Sequence, residues 1–149
     1  MATVEQYLHA HIPLSRHLGT RVLEAGPGTI RLAAPLAPNL NHRGTAFGGS
    51  ISALAILSGW TLLYLRLEET GFTGRIVIQS NTVEYVAPAE GELIATCRAP
   101  SAERWSHFME MLTDRGKARV DLEADVTVAG RLVAEFRGRY VAVKAAEGG

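Results

Sequence analysis

The stretch AFGGSISALAILSGWTLLYL, residues 46–65, carries no charge and is apolar on every side of a helical projection. A helix without a polar face has to be surrounded, by lipid or by the rest of its own fold. Its longest apolar run, 51–65, is interrupted by Ser58, Gly59 and Thr61 and falls short of the ~20 residues that a membrane span needs. A buried core helix is therefore expected, with no membrane partner. A chain of 149 residues, 47% of them hydrophobic, is long enough to supply the cover as one compact domain, residues 1–149.

Strands supply most of that cover. Residues 20–25 and 29–34 flank Gly26-Pro27-Gly28 and read as a hairpin. Residues 75–87 and 92–99 are β-branched runs joined by Pro88-Ala89-Glu90-Gly91, which predicts a second antiparallel hairpin. From 117 to 128, Ala118, Val120, Leu122, Ala124, Val126 and Val128 alternate with Arg119, Asp121, Glu123, Asp125 and Thr127, the pattern of a half-buried strand. Residues 132–144 give the last strand, and residues 3–11 a short amphipathic helix. The segment SAERWSHFMEMLTDRG is irregular or helical. The fold class is α+β, an antiparallel sheet curled around one long apolar helix so that both sides of the helix are covered. That arrangement is the hotdog fold.

Charge and cysteine content remove several function classes. Fifteen Lys and Arg balance fifteen Asp and Glu, with no basic run to follow a phosphate backbone, so nucleic acid is not an expected partner. The one cysteine, Cys97, has no second thiol for an intrachain disulfide and reads as a small buried hydrophobe. With no export signal in MATVEQYLHAHIPL, this fits a cytoplasmic setting. His9, His11 and His17 lack partners at ligand spacing, so no metal site and no cofactor are expected.

The core helix opens on Gly48-Gly49, its least helix-favouring residues. Gly48, Ser52, Ala55 and Gly59 form a stripe of small residues, and at Gly59 the expected purpose is to relieve crowding. Gly48 and Gly49 differ because they sit in the first turn, where amide hydrogens lack partners and the helix dipole is positive. Without a Cβ they leave room for a carbonyl to approach, and Thr45 is placed to cap the helix. The result is a candidate oxyanion site.

The string Asn41-His42-Arg43-Gly44-Thr45-Ala46-Phe47-Gly48-Gly49 resembles the N-x-x-G-T-x-H-G-G segment of hotdog acyl-CoA thioesterases of the phenylacetate-degradation type. NHRGTAFGGS, the apolar helix with its Gly-Trp, and the later EYVAP are similar to the thioesterase family first recognised as the C-terminal domain of YiiD-type acetyltransferases, over residues 14–143. The resemblance implies that Asn41 orients water or thioester and that the Gly48 amide holds the thioester oxygen. It also implies a homodimer or a dimer of dimers, with sites at the interface. Two departures stand out. Ile56 occupies the place of the family's catalytic acid, and Phe47 replaces the His of H-G-G.

The base is thus left open. His42, beside Asn41, either activates water or positions its loop. On the strand 76–86, alternation separates Ser80, Thr82 and Glu84 from Gln79 and Asn81, and the resemblance implies that Ser80 or Asn81 completes a site across the dimer. Thr45, Phe47, Gly49, Trp60 and Trp105 are expected to contact substrate, although for Trp105 packing is the stronger expectation. The expected activity is hydrolysis of an acyl-CoA or acyl-carrier-protein thioester. The missing acid leaves a non-hydrolytic thioester-binding domain as the alternative, and a hydratase ranks last because Asn39-Leu40-Asn41-His42 lacks the Asp and Pro of that motif.

Overall fold

The computed structural model describes residues 3–146. Thr3 opens α1 (Val4–His11) with a reciprocal capping box: its side chain accepts the Gln6 amide, and the Gln6 side chain accepts the Thr3 amide. Pro13 starts the five-residue α2 (Pro13–His17), a position where its missing N–H costs nothing. Then come β1 (Arg21–Ala25), β2 (Thr29–Ala34), a 3-10 turn (Ala37–Asn39) and the core helix α3 (Gly48–Glu68). The rest is β3 (Gly74–Tyr85), β4 (Leu93–Arg98), α4 (Ala102–Arg115), β5 (Lys117–Val128) and β6 (Arg131–Lys144). The segment left open between irregular and helical is therefore a regular 14-residue helix, capped by Ser101 and ended by Gly116 in the left-handed conformation at φ 72°.

The six strands form one antiparallel sheet in the order β1-β2-β4-β5-β6-β3. The β1–β2 hairpin forms as expected, but the second predicted hairpin does not. β4 inserts between β2 and β5, while β3 crosses to the far edge and pairs with β6 along its whole length. The segment 88–91 has no residue with positive φ, which the tight two-residue hairpin turns require. Instead Ala89 is buried, and its carbonyl accepts the Ala46 amide at 2.8 Å, so this connection crosses beside the start of α3.

The inner face of the sheet carries Leu32, Leu93, Leu122, Val126, Phe136 and Tyr140, all buried against α3. By length and composition α3 is apolar enough to cross a membrane, and here the sheet and loops wrap it. The wrap covers less than expected: Ser52, Ile56, Trp60 and Tyr64, spaced four apart, form a half-buried stripe that the sheet leaves partly open. Gly59 has the expected packing role. The Tyr140 hydroxyl lies where a Gly59 side chain would be, and it donates to the Ile56 carbonyl at 2.6 Å. α4 sits at the opposite end of α3 from Gly48, with the Arg66 guanidinium 4.3 Å from the Trp105 ring centre. This is the hotdog architecture, with α4 as a second substantial helix.

Candidate functional site

The loop before α3 is organised by Asn41. Its side-chain amide donates to the Thr45 hydroxyl at 2.7 Å and to the Ala46 carbonyl at 3.4 Å. Its side-chain oxygen accepts the amides of Arg43 at 2.8 Å and Thr45 at 3.1 Å. Gly44, at φ 80°, supplies the left-handed turn that closes the loop. The Asn-x-x-Gly-Thr string is thus a self-bonded turn in which the Asn41 side chain uses both its donors and its acceptor locally.

Thr45 does not cap the helix. The N-cap is Phe47, with no side-chain cap, and Thr45 lies two residues too early to reach the first-turn amides. The start of α3 is held by the backbone instead: the Phe47 amide donates to the Asn39 carbonyl at 2.7 Å, and the Asn39 side chain is tied to the Leu18 and Pro35 carbonyls. The amides of Ser50 and Ile51 turn back to the Phe47 carbonyl at 3.0 and 3.2 Å. The amides of Gly48 and Gly49 donate to no acceptor among the described residues. Two adjacent N–H groups at the positive end of a 21-residue helix can bind a developing oxyanion.

Two aromatic rings flank these amides. Phe47, 58% exposed, lays its ring against Gly49. Tyr85, the last residue of β3, donates its hydroxyl to the Gly48 carbonyl at 3.0 Å and packs its ring beside Gly48. Tyr85 was not among the expected site residues. The only sequence signals for it were its place in EYVAP and its alternation with Asn81 and Val83.

The remaining candidates are spread out. His42 is exposed in the loop next to Asn41, and its ring makes no hydrogen bond among the described residues. Asn81 pairs across from Gly138, in line with Val83 opposite Phe136 and Tyr85 opposite Ala134, so it lies on the α3 side of the sheet. It stands about 13 Å along the strand from Tyr85. Ser80 pairs across from Arg139 and shares a shallow cavity with Thr82, Asp121, Arg137 and Arg139 on the other face of the sheet, directed away from α3.

Ile56 and Trp60 lie on the half-open stripe of α3, about 12 and 18 Å along the helix axis from Gly48. The Trp60 indole donates to the Ile76 carbonyl at 3.0 Å, and its ring stacks on Tyr64, which stacks in turn on Tyr7. Trp105, beside Arg66 and Phe108, is about 27 Å from Gly48 along the axis. The structure therefore gathers Asn41, His42, Thr45, Phe47, Gly48 and Gly49 at one end of α3 and adds Tyr85. Trp60 is half-way down the helix, Trp105 at its far end, and Ser80 on the outer face. Cys97, buried in β4, has its thiol pushed up to about 12 by burial, which suits a packed hydrophobe and not a thiolate nucleophile.

Known proteins extend this picture. The model of the family described as "Putative thioesterase (yiiD_Cterm)" matches residues 1–144. A solved structure of a protein of unknown function from Chlorobaculum tepidum is 30% identical, covering 95% of this chain and 93% of its own, with a TM-score of 0.89. A "putative thioesterase" from Shewanella oneidensis is 33% identical over 94% of each chain, with a TM-score of 0.82. A third, from Pseudomonas aeruginosa, is 28% identical over 95% of this chain and 94% of that one, with a TM-score of 0.83. With nearly its whole length matched, and with the Asn-x-x-Gly-Thr loop folded onto the bare amide end of the central helix, the chain belongs to the YiiD C-terminal thioesterase family.

Proposed function

We propose that this protein hydrolyses acyl thioesters carried on coenzyme A or on an acyl carrier protein. The observation that supports this reading most is the pair of Gly48 and Gly49 amides with no acceptor of their own, at the start of a long core helix. Water attacks the thioester carbonyl carbon, and the carbonyl oxygen takes up negative charge against these two N–H groups. Collapse of the tetrahedral intermediate breaks the carbon–sulfur bond; the thiolate leaves and is protonated, and the acyl group departs as a carboxylate.

Asn41 acts as a positioning residue, because its side chain holds the loop that presents the helix start. His42, exposed beside it, is the candidate base for the attacking water. A second copy of the chain is part of the reading. β3 is a twelve-residue edge strand with Val77 and Tyr85 exposed and Val86 exposed just beyond it, and pairing along this edge makes a homodimer that brings Asn81 of one copy towards the other. A dimer of dimers is compatible with the same edge contact. A reducing, cytoplasmic compartment suits the free Cys97 thiol.

One observation favours a second reading, a domain that binds acyl thioesters without cleaving them. Ile56 stands where related thioesterases carry a carboxylate, and its half-buried side chain has no acid–base chemistry. The two readings separate in one assay: purified protein is incubated with acyl-CoAs of graded chain length while free thiol is followed with a chromogenic disulfide. Hydrolysis predicts thiol release by the wild type and a fall of roughly 10²–10⁴ in kcat for His42→Ala, the usual span of a lost general base. Binding without thiol release at every chain length supports the binding domain. A His42→Ala variant at full rate rules out His42 as the base and turns attention to Asn81 or Ser80 of the second copy as groups that orient the attacking water.

A further inference from the structure

Gly48 and Gly49 share a peptide whose two ends face different partners. The carbonyl of Gly48 and the N–H of Gly49 lie in one rigid plane. That N–H is one of the two amides with no acceptor, while the carbonyl accepts the Tyr85 hydroxyl at 3.0 Å. The carbonyl does not need this bond to be satisfied. Its position at the start of α3 already gives it the helical partner four residues on, and the second lone pair is what Tyr85 occupies.

Two features make the bond consequential. A peptide between two glycines, at a helix start with no side-chain cap, has the fewest local restraints of any in α3, so its N–H direction has to be fixed from outside. Tyr85 can fix it because its own backbone is held. It closes the β3–β6 ladder opposite Ala134, and the next two amides, Val86 and Ala87, both donate to the Val133 carbonyl. Donation to a carbonyl also withdraws electrons through the amide and makes the N–H at its other end a stronger donor.

We propose that Tyr85 is a positioning residue for thioester hydrolysis: through its hydroxyl it fixes and polarises the Gly48–Gly49 peptide that offers its N–H to the thioester oxygen. This rests on the hydrolase reading above. Tyr85 is 52% exposed and a methyl group at Gly48 would meet its ring only at ordinary contact distance, so the hydroxyl is not a packing requirement of the fold. The expected size follows from two general values. Loss of a whole oxyanion donor costs about 10²–10³ in kcat, and cooperative polarisation is about 10–30% of a hydrogen bond. The same fraction on the logarithmic scale is a fall of roughly two- to eightfold.

The test is Tyr85→Phe, which keeps the ring and removes only the hydroxyl, compared with Tyr85→Leu, which removes both. Kinetics are measured with an acyl-CoA that the wild type cleaves, together with the 15N resonance of Gly49 in substrate-free protein. The expected result for Tyr85→Phe is a lower kcat by that factor, an unchanged KM, an unchanged melting temperature and an upfield move of the Gly49 nitrogen. Tyr85→Leu adds a rise in KM from the lost ring. An unchanged kcat, or a change in KM alone, in Tyr85→Phe overturns the positioning role, as does an unmoved Gly49 resonance. A wild type that cleaves no acyl thioester removes the hydrolase reading itself, which is a different result from an active wild type with an equally active Tyr85→Phe.

Discussion

At one edge of the sheet β1 is five residues long, its register broken between Val22 and Glu24, and α1 lies alongside it. The Glu5 carboxylate accepts the Val22 amide at 2.7 Å, and the His9 ring bonds to the Thr20 carbonyl at 2.8 Å, so side chains of α1 occupy backbone groups that another strand would use. At the opposite edge β3 runs for twelve residues with no element among the described residues beyond it, and Val77 and Tyr85 are exposed along it. Natural sheets blunt their edges with short strands, bulges and covering segments. The first edge has all three, whereas β3 shares only the register break, between Ile78 and Ser80, and is neither short nor covered by a described element. The difference makes β3 the edge on which the proposed pairing with a second copy depends. It is also the strand whose last residue, Tyr85, reaches the candidate oxyanion site, so the open edge and the proposed chemistry share one element.

The most forceful way to break this contrast is to put charge on the open edge. In a V77K/V86K double variant, two ammonium groups lose hydration on any pairing of β3 with a second copy, at a cost of a few kcal/mol. Self-association should weaken by roughly a hundredfold or more, and sedimentation should show the mass of a single folded chain where the wild type shows a multiple. Thioesterase activity should fall with the mass if the second copy contributes to the site. A wild type that sediments as one chain would leave β3 as a solvated edge and end the comparison.

These edges also show how far local sequence carries. The core helix, the β1–β2 hairpin and the alternation of β5 were legible because each is written in neighbouring residues, as 3.6-residue or two-residue periodicity or as turn chemistry. The identity of β3's partner was not. Strand alternation fixes which face of β3 is apolar, but not whether its neighbour is β4, next in the chain, or β6, and here the turn-like Pro88-Ala89-Glu90-Gly91 pointed to β4. The site divides along the same line. Gly48 and Gly49 stood out as a weak helix start, and Asn41 as part of a motif. Tyr85 comes from 37 residues away along the chain, and its part depended on the strand crossing that local pattern misread. Thr45 failed as a cap because a shift of two residues in the helix start, within the ordinary uncertainty of such boundaries, changes which amides a side chain can reach.

The next largest effect concerns the half of the sheet behind the covered edge. Cys97 lies in β4 next to β2, and burial pushes its thiol up to about 12 from an ordinary 9.0. The folded state therefore binds this proton more tightly than the unfolded state. The associated stability is fully present below about pH 9 and is lost as the pH rises towards 12, at about 1.4 kcal/mol per unit. Urea midpoints measured between pH 8 and 11 should fall more steeply for the wild type than for Cys97→Ala, in which that titration is absent. Parallel curves would mean that the thiol meets water in the native state, and that the side of the sheet behind β1 is no better sealed than the side behind β3.

The smallest of the three effects tests the cover itself. Glu5→Ala leaves the Val22 amide without its acceptor, at a cost of about 1–2 kcal/mol for a charged partner on a partly buried donor. For a domain of this size that lowers the melting temperature by roughly 2–8 °C. Part of the loss comes from the favourable place of Glu5 in the first turn of α1, so the melting temperature alone does not isolate the edge. Glu5→Gln separates the two contributions, because it removes the charge and keeps an acceptor for Val22. Hydrogen exchange at the Val22 amide should speed up in Glu5→Ala and stay slow in Glu5→Gln. Unchanged exchange in both variants would show that α1 lies beside β1 without shielding it. Faster exchange in Glu5→Ala with self-association unaltered would show that the two edges are managed independently, one by a side chain lent from α1 and the other by whatever pairs with β3.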